Sequence, residues 1–387
     1  MLSYESDRLR QIPPYLFARI DKLKEEEVKK GKRLISLGIG DPDQPTPPHI
    51  IQALKEAVDD PKTHSYPPYE GYKELREAIS IWYKNRFDVE LDPNSEILPL
   101  IGSKEGIAHI PFALLNPKDR VLVPDPGYPV YHSATILAAG VPIIVPLLSE
   151  NRFLPDLKKI DPKGAKLFFV NYPNNPTAAT ADISFLSDLV CFAKENKLII
   201  CFDAAYSEIY FEGTKPPSIL QVKGGKDVAI EFHSLSKTYN MTGWRIGFAC
   251  GNKDIIASLA KLKTNLDSGI FGGVQYAGIK ALLGEQSCVE TSRKLYERRR
   301  DVLVEGLKGC GFKVNKPAAT FYLWIQIEGS SMELTERLIK EASVVVTPGV
   351  GFGEHGEGFI RFALTVDEER LKEAVERIRL MKSGQKG

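Results

Sequence analysis

A chain of 387 residues, 43% hydrophobic and 26% charged, is long enough to bury a large core and suggests one large domain with a smaller companion. Lysine plus arginine (51) nearly balances aspartate plus glutamate (50), which excludes a global field that would recruit nucleic acid or a membrane surface. No apolar run approaches membrane-spanning length, the start MLSYESDRLRQIPPYLF lacks the apolar stretch of a secretory signal, and five scattered cysteines form no C-x-x-C pair; a soluble, cytoplasmic protein without a metal is expected.

In chain order, the charge run DKLKEEEVKKGKR (21–33) reads as a solvated helix face. EILPLIGSKEGIAHI (96–110) reads as a strand, a turn at Gly102-Ser103-Lys104 and a helix opening. RVLVPDP, VPIIVPLL, KLFFVNYP, KLIICFD, VAIEFHSLS and RIGFACG follow as short β-branched runs bounded by Pro, Gly, Asn or Asp. Between them lie segments of helical apolar spacing such as ADISFLSDLVCFAKENK (181–197). This alternation predicts an α/β domain with a mostly parallel sheet covered by helices on both faces. From about residue 290 the pattern changes. Helical CVETSRKLYERRRDVLVEGLKGCG leads to FYLWIQI, a helix, SVVVTPG, GFIRFAL and a closing helix DEERLKEAVERIRLM, a compact α+β unit.

In a doubly wound sheet, ligands bind beyond the carboxyl ends of the strands, and the unusual residues fall there. FHSLSKTYNMTGWRIGFA (232–249) puts Lys237 in the turn between two strand-like runs, with Ser234 and Ser236 beside it and Arg245 eight residues on. KLIICFDAAYSEI puts Asp203 at a strand end and Tyr206 one turn later; FFVNYPNNPT ends its strand in a turn holding Asn175. Taken singly, Ser103 and Asp203 read more readily as helix caps, and Asn175 can be a plain turn residue. Taken together, an amine, a buried carboxylate, a phenol, an amide and a phosphate cradle are what pyridoxal 5'-phosphate requires. The amine bonds to the aldehyde, the carboxylate keeps the pyridine nitrogen protonated, and hydroxyls, helix N–H groups and an arginine hold the phosphate.

LGIGDPDQPTP, YPPYEGYKELREAI, PDPGYPVY, NYPNNPT, FDAAYSEI, SLSKTYNMTGWRIGFA and PGVGFGEHGEGFIRFAL occur in this order over nearly the whole chain, and in this the chain resembles the class I/II aminotransferases of PLP-dependent transferase fold type I. SLSKTYNMTGWRIGFA and TNLDSGIF are similar to the LL-diaminopimelate aminotransferases of the shorter bacterial branch. The resemblance implies a large cofactor domain (46–290) and a small domain built from 1–45 and 291–387. It implies Lys237 as the covalent lysine and proton-transfer base, Asp203 at the pyridine nitrogen, and Tyr206 and Asn175 at the ring oxygen. Tyr128 would stack on the ring, while Ser103, Lys104, Ser234, Ser236 and Arg245 surround the phosphate. Tyr66 would reach the phosphate of a second subunit in a homodimer with shared sites. Arg361 would clamp the substrate carboxylate with its planar fork, beside Gly40, Tyr15, Tyr128 and Asn175. Without the resemblance, Arg361 reads as a strand arginine in a surface ion pair.

Two details bear on which amino and keto acids are used. Gly269, in LDSGIF, stands where larger diaminopimelate aminotransferases have an asparagine, and no arginine lies between Lys261 and Tyr276 to read a distal carboxylate as in one aspartate-specific branch. Lys104 could read a distal carboxylate instead. The expected reaction is a ping-pong transamination making LL-2,6-diaminopimelate from tetrahydrodipicolinate and glutamate. An aspartate, aromatic or broad-specificity aminotransferase, and a PLP-dependent lyase, are the alternatives. A PLP-sensing transcription regulator would need a DNA-binding domain for which the N-terminal stretch leaves no room.

Overall fold

The computed structural model describes residues 4–12 and 17–383. Its strands, in chain order, are β1 (Ile35–Ser36), β2 (Ile97–Leu100), β3 (Arg120–Asp125), β4 (Val141–Pro146), β5 (Ala165–Asn171), β6 (Ile199–Asp203), β7 (Ala229–Ser234), β8 (Gly247–Gly251), β9 (Tyr322–Gln326), β10 (Val344–Val345), β11 (Thr347–Pro348) and β12 (Phe359–Ala363). Seven of them form one sheet in the order β2-β8-β7-β6-β5-β3-β4. Only β8 runs against its neighbours there. The outer strands both carry proline, Pro99 in β2 and Pro142 and Pro146 in β4.

The strands read as continuous apolar runs because both faces are covered. Along β5, Phe168 and Val170 enter one apolar cluster while Leu167 and Phe169 enter another. Along β6, Ile200 and Phe202 enter the first cluster and Cys201 the second. A residue period of two thus loads both faces with hydrocarbon, and each face must be closed by helices. Helix Ile183–Asn196 is one of these; Asp182 caps it by accepting the Phe185 N–H, and Leu186, Leu189 and Val190 are buried under it.

The remaining strands form a parallel pair, β1 with β10, and an antiparallel trio, β11-β12-β9. Their apolar cluster joins Ile35 and Leu37 from the N-terminal part to Leu323, Ile325, Val344, Ile360 and Leu371 from the C-terminal part. The helix Ser287–Gly309 runs through the expected boundary near 290, with Val289 packed in the cluster of the large sheet and Tyr296 and Leu303 in the other. Helix Phe17–Lys29 holds most of the charge run, and Ile20 and Leu23 tie it to Ile339 and Val345. The solvated-face reading fails at Glu27, which is buried and paired with Lys30 and Lys32. Among the described residues, no helix is long and apolar enough to cross a membrane.

Candidate active site

The parallel strands end along one edge of the sheet, with Asn171 closing β5, Asp203 closing β6 and Ser234 closing β7. Being antiparallel, β8 begins at that edge, where Gly247 lies opposite both Ser234 and Leu100. This reversal brings Arg245 to the loop after β2. There Gly102, at φ 79°, caps the helix Ser103–Leu114 without a side-chain hydrogen bond, and a Cβ on it would collide with Arg245 Nη2. Ser103 is therefore the first helical residue, not the cap that the sequence alone allowed. Ser234 does act as a cap, its hydroxyl accepting the Ser236 N–H at 3.2 Å. Ser103, Ser234 and Ser236 are buried, while Lys104 and Arg245 face solvent. A helix opening, three hydroxyls and a guanidinium at this edge of the sheet suit an anion cradle.

Lys237 lies in the short helix Leu235–Thr238 after β7. Its Nζ donates to the Gly40 carbonyl at 3.0 Å. Burial pulls its pKa down to about 8, helped by Arg245 and Arg361 and opposed by Asp41. Asp203 is buried; its Oδ2 accepts the Tyr131 hydroxyl at 2.7 Å and its Oδ1 the Ala205 N–H at 3.1 Å. Burial raises its pKa while those two hydrogen bonds lower it. The local-cap reading accounts for Oδ1 alone. A carboxylate so enclosed is best kept ionised by a cation placed against it.

Arg361, on β12 opposite Thr347 and Trp324, is only 7% exposed, which overturns the surface ion-pair reading. Its Nη1 donates to Asn175 Oδ1 at 2.7 Å and its Nη2 to the Gly38 carbonyl at 2.7 Å, while Nε is buried with no hydrogen-bond partner. The guanidinium lies over the Tyr322 ring (4.1 Å to its centroid) and near Phe352 (4.7 Å). An unpaired buried N–H on a positive fork calls for an anion with planar acceptor geometry, a carboxylate. Asn175 and Gly40 stand beside it, Asn175 through this hydrogen bond and Gly40 two residues from Gly38. Tyr206 is buried, its hydroxyl 3.0 Å from that of Tyr322.

The structure thus gathers Ser103, Ser234, Ser236 and Arg245 at one end, Lys237, Asp203 and Tyr206 in the middle, and Asn175, Gly40 and Arg361 at the other. Tyr128 is half-buried, edge-on to Tyr131 with centroids 5.7 Å apart. Tyr66 is 86% exposed and joins none of these groups within one chain. Tyr15 lies outside the described residues. Gly269 sits at φ 88° with its N–H bonded to Asp267, a conformation that disfavours a larger residue. Sequence reading missed Tyr131, Asn171 and Tyr322. Tyr131 lies in the same PDPGYPVY stretch as Tyr128, which was its one signal; Asn171, whose amide donates to the Asp203 carbonyl at 2.8 Å, and Tyr322 carried no such signal. The amine with a lowered pKa, the enclosed carboxylate and the anion cradle together fit pyridoxal 5'-phosphate.

The family model for class I and II aminotransferases matches residues 32–378. The chain is 55% identical over 379 residues to the LL-diaminopimelate aminotransferase of Halothermothrix orenii, covering 97% of each chain. To that of Aquifex aeolicus it is 56% identical over 382 residues, covering 97% of this chain and 99% of the other. Among solved structures, substrate-bound BacF from Bacillus subtilis superposes with a TM-score of 0.95 at 39% identity over 98% of both chains.

Proposed function

Since the chain belongs to the class I and II aminotransferases, PLP-dependent transaminases of fold type I, we propose that it converts tetrahydrodipicolinate, L-glutamate and water to LL-2,6-diaminopimelate and 2-oxoglutarate in lysine biosynthesis. The observation that carries this reading is identity above one half, over nearly the full length, to relatives that bear that activity in their names.

Bound at Lys237, pyridoxal 5'-phosphate supplies an electron sink that makes the substrate α-hydrogen acidic. The chain's residues do the rest. Gly102, Ser103, Ser234, Ser236 and Arg245 hold the phosphate, with Lys104 beside them. Asp203 holds a proton on the pyridine nitrogen, oriented by the hydroxyl of Tyr131. The Asn175 amide oxygen accepts from Arg361, so its NH2 group would be the donor that, with the Tyr206 hydroxyl, holds the ring oxygen. Tyr128 would cover the ring face. Arg361 and Gly40 would place the α-carboxylate, and Tyr15 would contact the substrate. Lys237 would take the proton from the substrate Cα and carry it across the same face to the cofactor's C4', a task suited to an amine that is partly neutral near pH 7.

A diaminopimelate molecule carries a second ammonium and carboxylate at its far end, and Lys104 can answer that carboxylate. A pocket that hydrogen-bonds such groups rejects substrates lacking them by roughly 1,000-fold or more, whereas cavity filling gives about 10- to 200-fold per methylene. With 2-oxoglutarate as acceptor, kcat/KM for LL-diaminopimelate should exceed that for the meso isomer, lysine, ornithine and aspartate. If aspartate or an aromatic amino acid wins, the enzyme is a general aminotransferase.

On the same reading, residues 46–290 form the cofactor domain, and 1–45 with 291–387 the smaller one. The enzyme works in the cytoplasm as a homodimer, each Tyr66 reaching the phosphate of the other subunit; its exposure within one chain supports this. Sedimentation should find a dimer, and a fully active monomer would exclude shared sites.

A further inference from the structure

We propose that Tyr322 is a positioning residue that couples the two ends of this site: its hydroxyl fixes the direction in which the Tyr206 hydroxyl donates, and its ring seats the Arg361 guanidinium. The proposal rests on reading Tyr206 as a donor to the cofactor's ring oxygen.

Both phenols are buried, Tyr206 at 6% and Tyr322 at 3% exposure. Their oxygens are 3.0 Å apart, so one must donate and the other accept. If Tyr206 gives its proton to the ring oxygen, its own oxygen must accept from Tyr322. Little else can happen, because the Tyr322 ring is wedged edge-on against Phe321 (centroids 4.9 Å apart) and Tyr206 (5.7 Å). Its hydroxyl occupies the space that a side chain at position 40 would need, so the glycine whose carbonyl holds Lys237 is also what admits this tyrosine. The opposite side of the story is the ring's face, 4.1 Å from the Arg361 guanidinium carbon, a cation–π contact in a desolvated place. Accepting a hydrogen bond makes a hydroxyl a stronger donor, so Tyr322 strengthens the hold of Tyr206 on the ring oxygen. That oxygen otherwise holds the proton on the nitrogen joining cofactor to Lys237.

The test is a pH titration of the visible absorbance of substrate-free holoenzyme for the wild type, Tyr322→Phe, Tyr206→Phe and the double variant. Tyr322→Phe should raise the midpoint by about 0.5 to 1 pH unit, the size of one hydrogen bond, and should add nothing once Tyr206 is phenylalanine. An unmoved midpoint in Tyr322→Phe, or shifts that add in the double variant, would overturn the hydroxyl's role. A Tyr206→Phe midpoint equal to wild type would remove the reading beneath it, and the proposal with it. Tyr322→Leu also deletes the ring, and should raise KM for glutamate roughly tenfold over Tyr322→Phe; equal KM values would overturn the seating of Arg361. No step of the absorbance titration depends on which amino acceptor the enzyme uses.

Discussion

Lys237→Ala should lose turnover by at least about 10,000-fold, since on the proposed reading one side chain supplies both the covalent attachment and the proton shuttle. The wild type should show a visible absorption band that borohydride fixes covalently to Lys237; the variant should show neither the fixed adduct nor the band. A reduced adduct recovered on another lysine would refute the assignment. The environment of this amine also sets a pH dependence. With its pKa lowered to about 8 by burial, roughly one amine in ten is neutral at pH 7, against about one in 2,500 for an unperturbed lysine. Only the neutral amine attacks an aldehyde, so apoprotein should capture the cofactor faster as pH rises and level off above about 8. A rate that climbs steadily to pH 10 would show an unperturbed lysine.

Asp203→Ala and Arg361→Lys should fail in different ways. On the proposed reading, removing the enclosed carboxylate takes away the charge that would hold the pyridine nitrogen protonated, so proton abstraction should slow by roughly 100- to 1,000-fold, measurable in single half-reactions with glutamate. The cradle at Gly102, Ser103 and Arg245 is untouched, and the phosphate should stay anchored. Arg361→Lys keeps the charge but breaks the fork that binds Asn175 and Gly38. KM for both amino and keto acids should then rise about 10- to 100-fold while the cofactor remains bound. Equal loss of cofactor from both variants would contradict this division of labour.

How much of this was legible beforehand depended on sequence distance. The mostly parallel sheet could be read because each of its strands is a short apolar run with its own turn signals, as in KLIICFD and RIGFACG. The anion cradle could be anticipated for the same reason, Ser234, Ser236, Lys237 and Arg245 lying within one stretch. The carboxylate end could not be built from the residues alone. Arg361 meets Gly38 across 323 positions and Asn175 across 186, and nothing local marks a strand arginine as buried. Tyr322 was hidden differently. In FYLWIQI it is one aromatic among apolar neighbours, and its hydroxyl gains meaning only when Tyr206 and Gly40 arrive from elsewhere. Ser103 alone could pass for a cap because Ser is common at such a place, whereas the true cap, Gly102, sits at a positive φ that favours glycine.

The prolines at both margins of the seven-stranded sheet have a consequence beyond the active site. An outer strand normally offers a row of free amide hydrogens on which another chain can template itself, the first step toward runaway stacking. Pro99 on one margin and Pro142 and Pro146 on the other delete donors from those rows and interrupt the ladder a newcomer would need. Two copies of this chain are thereby denied one continuous backbone ladder across this sheet. Any association across these margins must instead use side chains, whose shapes limit the number of copies, and a fibre built by stacking this sheet is disfavoured.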